Sequence, residues 1–263
     1  MTAVRIGPRA AVAVALSGVL GIAAFCWPLL VDPGSGLARG GDAPLTFALL
    51  LPLALAVVLA EISEGGMDAK AVAMLGVLSA LGAALRVLGA GTAGIETVFF
   101  LIILAGRVFG PGFGWVLGNT TLFASALLTG GVGPWLPYQM LGAAWVGMLA
   151  GLLPRARGKV ELVLLAAYGF VASLVYGFLL NLSFWPFALG ADTAVSFVPG
   201  DAVGDNVARL LAFTLATSLG WDVGRAITTV VLVLATGAVL LRVFRRAARR
   251  ATWDQPRAWP SFQ

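Results

Sequence analysis

Long apolar runs recur along the chain, and the short stretches between them hold most of its charges. Each run approaches the roughly 20 residues that carry a helix across a bilayer core. None alternates with the period of two that marks an outer-membrane barrel strand. The pattern predicts spans over Ala10–Val31, Leu45–Ala60, Ala71–Leu88, Thr92–Val108, Pro111–Leu128, Leu136–Leu153, Val160–Leu182 and Trp221–Phe244. The first follows Arg5 and Arg9, as a signal peptide would, but it exceeds a signal core of about 7–15 residues and is read as a mature span. The fourth has the weakest pattern, because Glu96 lies near its start and its unbroken apolar stretch is only Val98–Ala105. The expected fold is all-α: a polytopic helical membrane protein of about eight transmembrane helices.

Charge asymmetry tests the number of crossings, since Lys and Arg concentrate in cytoplasmic loops. With both termini inside and eight crossings, 13 of the 17 basic residues fall on the cytoplasmic side. They include Lys70, Arg107, Arg155, Arg157, Lys159 and the C-terminal group from Arg242 to Arg257. Arg39, Arg86, Arg209 and Arg225 remain outside, among Asp32, Asp42, Glu96, Asp192, Asp201, Asp205 and Asp222. Removing the fourth span would expose Arg155, Arg157 and Lys159, so eight crossings, N-in and C-in, are preferred. The basic tail reads as an anchor on anionic lipid rather than a nucleic-acid contact.

Composition agrees with the pattern and narrows the chemistry. Apolar residues make up 60% of the 263 and charged residues 11%, against roughly 25% charged in a soluble domain. Cys26 is the single cysteine, which excludes an intrachain disulfide and a cysteine metal cluster. There is no histidine, which removes Ser–His and Cys–His catalysis, histidine-ligated zinc and an imidazole proton relay. Lys159 follows Gly158 without the upstream glycine or the downstream hydroxyl of a P-loop, so any ATP-derived energy must come from a partner. Neither an HExxH nor a GxSxG motif occurs. No catalytic residue, metal site or cofactor is expected.

Two stretches depart from the Leu/Ala/Val background. In GRVFGPGFGWVLGNTTLFASALLTGGVGPWLPYQ (106–139), Gly110, Gly114 and Gly118 recur every four residues and line one helix face with hydrogen alone, which admits a close neighbour. The hairpin Gly130–Pro137 follows on the outer side, its glycines permitting unusual angles and its prolines stopping the helix. Trp135, Tyr138 and Gln139 then place aromatic surface and an amide at the start of the sixth span, either as a binding surface or as an interfacial belt. In LAFTLATSLGWDVGRAIT (211–228), Asp222 and Arg225 are three apart and can pair, and Trp221 and Arg225 are spaced for a cation–π contact. Ionisable groups within spans are functional candidates, although charges at a span's end can also snorkel to water. Glu96, Arg86, Asn119, Asn181, Trp185 and Tyr176 are weaker candidates.

The order of MDAKAVAMLGVLSALGAALRVLG (67–89), the glycine-laddered helix, GGVGPWLPYQM (130–140), a basic loop and SLGWDVGRA (218–226) resembles the substrate-capture (S) component of energy-coupling factor (ECF) vitamin transporters. The resemblance spans roughly residues 67–250 and is greatest to members that handle cobalamin or other corrinoids. It implies a six-helix substrate-binding core over 67–250, with residues 1–66 as two accessory spans and 251–263 as a cytoplasmic tail. It implies capture of a vitamin at the outer face of a bacterial plasma membrane, followed by association with a transmembrane coupling (T) subunit and two ABC ATPases. Gly76, Ala80 and Ala84 match the family's small-residue face for docking on the T subunit, with Ala73 and Ala83 nearby. The same spacing also serves packing within a bundle. By resemblance the ligand positions are Trp135, Tyr138, Gln139, Trp221, Asp222 and Arg225, the residues already singled out.

Two other functional classes make demands that the sequence does not meet. An ion-coupled secondary transporter calls for buried acids near the midplane and inverted repeats, and neither is legible. A membrane-embedded lipid enzyme calls for an acid cluster or a nucleophile with its base, which an isolated Asp222 does not supply.

Overall fold

The computed structural model describes residues 8–30, 56, 69–89, 94–188 and 193–253. The expected span Leu45–Ala60 lies outside the described residues apart from Ala56, as do Thr92, Asp192 and the tail beyond 253. The described chain is helical, with no strand: α1 (Pro8–Phe25), α2 (Trp27–Leu30), α3 (Ala69–Gly89), α4 (Phe99–Phe109), α5 (Pro111–Thr129), α6 (Leu136–Leu152), α7 (Gly158–Ala188), α8 (Val203–Thr217) and α9 (Leu219–Trp253). Among these, α3, α7 and α9 are long and apolar enough to cross a membrane individually.

Side-chain contacts fix the direction of each helix. Ser79 meets Thr120 and Arg86 meets Ser125, so α3 and α5 run in the same sense. Tyr168 donates to the Val146 carbonyl and Glu161 pairs with Arg245, so α7 runs opposite to both α6 and α9. The chain therefore passes up and down through the bundle. Lys70, Arg107, Arg155, Arg157, Lys159 and Arg245 gather at one end, while Arg86, Glu96, Gln139, Asp222 and Arg225 gather at the other.

The glycine ladder performs the packing its spacing predicts. A Cβ added at Gly114 would overlap the Gly147 carbonyl, and one at Gly147 would overlap that of Gly114, so α5 and α6 cross backbone to backbone. Side chains larger than hydrogen would separate the helices and forfeit contacts along their length. Around this crossing Phe99, Ile102, Ile103, Leu104, Phe113, Trp115 and Leu117 form a fully buried core. Helix α4 is central, with nearly every residue buried.

At the basic end Glu161 is almost fully buried and accepts from Arg107 (2.8 Å) and twice from Arg245 (2.6 and 2.7 Å). Arg107 also donates to the carbonyls of Leu153 and Pro154. This cluster joins α4, the α6–α7 turn, α7 and α9, and it satisfies carbonyls that the end of α6 leaves without a helical partner.

Three elements differ from expectation. The first span breaks at Cys26, two residues before Pro28, whose ring disfavours a continuous helix. The fourth is helical only from Phe99, about 16 Å of the roughly 30 Å needed. Residues 94–98 approach it without helix, and the Thr97 hydroxyl donates to the Leu85 carbonyl (2.5 Å), turning this segment back onto α3. The third is α8, an additional helix in the stretch expected to be an outer loop. Its Leu210 and Phe213 pack on Leu182 and Trp185 of α7, and Asn206 brackets Val198 by donating to its carbonyl and accepting from its amide. Just before it, the Arg209 guanidinium 2.6 Å from Asp201 holds that carboxyl below its ordinary range.

Helix α1 packs on α6 and α7: Phe25 is fully buried, edge-on to Tyr138 at 5.0 Å, and a Cβ at Gly21 would touch Trp145.

Candidate functional site

The end opposite the basic cluster holds a second ion-pair network. It starts on α9, where the Arg225 guanidinium donates to Asp222 (2.8 Å), to the Ser173 carbonyl (3.2 Å) and to Glu96 (2.5 Å). Glu96 comes from the non-helical approach to α4 and stands between two arginines, with Arg86 of α3 at 3.5 Å. Arg86 in turn donates to Ser125 (3.1 Å) and to the Gln139 side-chain oxygen (3.3 Å). Five polar side chains from α3, the 94–98 segment, α6 and α9 thus form one line: Gln139, Arg86, Glu96, Arg225, Asp222.

Local packing builds this line. The Asp222 carboxylate fits against α7 only because residue 177 is glycine; a Cβ there would overlap it. Arg225 lies over the rings of Tyr176 (5.1 Å) and Phe99 (6.0 Å), so one face of the guanidinium is aromatic and its edge is ionic. The 94–98 segment is held against α9 by the close approach of the Gly94 backbone to that of Trp221.

The charges of the network are partly buried, with side-chain exposures of 20% for Arg86, 17% for Glu96, 13% for Arg225 and 5% for Asp222. Desolvating ion pairs costs about as much as their attraction returns, so such a network is poorly explained as a device for stability. One further feature bears on a ligand: the Tyr176 hydroxyl is buried and has no hydrogen-bond partner, a condition that side-chain atoms of Trp115, Asn119 and Thr121 of α5 share, but Tyr176 lies against the Arg225 guanidinium. An orphaned buried hydroxyl costs roughly 1–3 kcal/mol, and here it sits beside the charges.

Of the residues selected from sequence, Asp222, Arg225 and Gln139 meet in this network. Tyr138 adjoins it in sequence but is enclosed by Phe25 and Phe184, at 5.0 and 6.0 Å. Trp135 is exposed and donates to the Gly131 carbonyl of its own hairpin (3.1 Å). Trp221 is 46% exposed at the rim. The cation–π contact expected between Trp221 and Arg225 is replaced by those with Tyr176 and Phe99, because Arg225 turns inward to meet Glu96.

Glu96 and Arg86, ranked low from sequence, are central. Tyr176 supplies the orphaned hydroxyl. Of the other weak candidates, Asn119 donates to Trp115 within α5, Asn181 to Thr214 and Ser218, and Trp185 to the Val195 carbonyl (2.6 Å).

On α3, Gly76, Ala80 and Ala84 are exposed, and a Cβ added at Gly76 meets nothing within 4 Å among the described residues. Leu75, Leu78, Ser79, Gly82 and Ala83 form the packed side. Ala83 therefore belongs to the bundle interface rather than to the small-residue face.

Among the described residues, the chain is all-α, with a polar and aromatic cluster among its helices near one end and a small-residue face of α3 left uncovered, the form of a helical membrane protein. The family model for the ECF transporter substrate-specific component matches residues 70–236, and the chain belongs to that family. It is a transport subunit that captures substrate, not an enzyme, and its family works with T and ATPase modules. Neither the curated proteins nor the solved structures compared with it gave a match.

Proposed function

We propose that this chain captures a vitamin or related micronutrient at the outer face of a bacterial plasma membrane, with cobalamin and other corrinoids the first substrates to try. The basic end faces the cytoplasm, as the distribution of Lys and Arg favours. The capture site is the line from Gln139 through Glu96 to Asp222, with Trp135 and Trp221 exposed around its approach and Tyr138 buried next to Gln139 in the chain. The observation that carries this reading is the buried, unpartnered Tyr176 hydroxyl beside a charge network at the end away from the basic cluster. Loaded substrate passes inward when the Gly76, Ala80 and Ala84 face of α3 docks on a T subunit driven by two ATPases. Residues 1–66 act as an accessory to this core.

The test is dependence on partners. The purified full chain should retain its vitamin tightly without nucleotide, and cells should accumulate that vitamin only when the T subunit and both ATPases are present. Uptake by the chain alone in liposomes, driven by a proton or sodium gradient, would instead make it a secondary transporter.

A further inference from the structure

The charges at the proposed capture site sum to zero. Arg86 and Arg225 carry two positive charges, and Glu96 and Asp222 carry two negative ones, each within ion-pairing distance of an arginine. The nearest charged groups on α8 do not alter the balance in favour of an anion, since Arg209 is already committed to Asp201 at 2.6 Å and Asp205 is acidic. A site built to seize a carboxylate or phosphate keeps a guanidinium uncompensated until the ligand arrives. Here an anion would have to separate Glu96 from Arg225, leaving a partly buried carboxylate without its counter-charge. A cation would have to displace a guanidinium from Glu96 or Asp222, with the same result.

The hydrogen-bonding capacity that remains is neutral. The Tyr176 hydroxyl can both donate and accept, and Gln139, whose oxygen accepts from Arg86, keeps its amide hydrogens. The rings of Tyr176 and Phe99 add flat apolar surface. We infer that the captured substrate carries no net charge and is held by hydrogen bonds and ring contacts, the ion pairs of the network staying intact. This inference rests on the reading of the network as the capture site.

The experiment uses the full chain in lipid nanodiscs, equilibrated with an equimolar mixture of riboflavin, pyridoxine and cyanocobalamin (no net charge), thiamine (cationic) and biotin and pantothenate (anionic). Retained compounds are identified by native mass spectrometry. Tyr176→Phe removes only the unpartnered oxygen and should fold as the parent does. Retention confined to uncharged compounds, weakened about tenfold by Tyr176→Phe, is the expected result, that being the ordinary worth of one hydrogen bond. Retention of a charged compound that Tyr176→Phe weakens would overturn the charge-balance inference and leave the site standing. Retention of an uncharged compound that neither Tyr176→Phe nor Gln139→Ala alters would overturn the site itself. Retention of nothing from the mixture would remove the vitamin-capture reading beneath both.

Discussion

Arg225 has a mixed environment: two carboxylates and a carbonyl along its edge, and the rings of Tyr176 and Phe99 beside it. Its neighbour Asp222 depends on a residue that carries no chemistry, Gly177, whose hydrogen leaves room for the carboxylate. Gly177→Ala should therefore expel Asp222 from its place and cost about 1–3 kcal/mol of stability, as overpacking does, with a lower thermal midpoint and weakened substrate binding as the readouts. An unchanged midpoint would mean that the helices yield there without loss. The Asp222–Arg225 pair was legible because residues three apart on a helix share a face. Glu96 was not, since it lies 129 residues from Arg225 in the chain and in sequence only interrupts an apolar run. Trp221 lies about 100° round the helix from Asp222, which places an exposed ring at the rim rather than in the ion-pair network.

Among the helices, α5 and α6 followed the spacing of Gly114 and Gly118 to a backbone-to-backbone crossing, whereas Gly110 caps α5 at a positive φ and lies outside the helix. Helix α8 was not readable as a span or as a helix, because Asp205, Asn206 and Arg209 break its apolar sequence; it folds by laying Leu210 and Phe213 on α7. The shortening of α4 has a similar cause, since Glu96 and Thr97 are drawn toward Arg225 and α3 before the helix can begin. The small-residue face of α3 had two readings, a partner surface or internal packing. Its exposure among the described residues sharpens the test. Ala80→Trp should leave substrate binding by the isolated chain unchanged while its complex with the T subunit dissociates during size-exclusion chromatography. Loss of folding or of binding as well would place that face inside the bundle.

Across the whole molecule, the up-and-down path puts one charge cluster at each end: a buried, doubly paired Glu161 in the basic half and the Glu96 network in the other. Reporter fusions after Arg157 and after Arg250 should report cytoplasm, and fusions between Thr193 and Asp205 should report the outside. An external Arg157 fusion would invert the bundle and put the proposed capture site on the wrong face. The all-α class was fixed by apolar run length and charge pattern, both properties of single segments. The proposed capture site was only half legible, because the network is made by contacts among four segments that no local pattern encodes. The account stands most directly on the affinity of Arg225→Ala and Gln139→Ala, in detergent, for whichever vitamin the wild-type chain retains, with a monodisperse elution profile as the folding control. Arg225→Ala should weaken binding by about 2–4 kcal/mol, roughly 30- to 1000-fold, because Glu96, Asp222 and the Tyr176 ring lose the group that aligns them, and Gln139→Ala by about tenfold. Affinity within about threefold of wild type in both well-folded variants would contradict the placement of the substrate at this network.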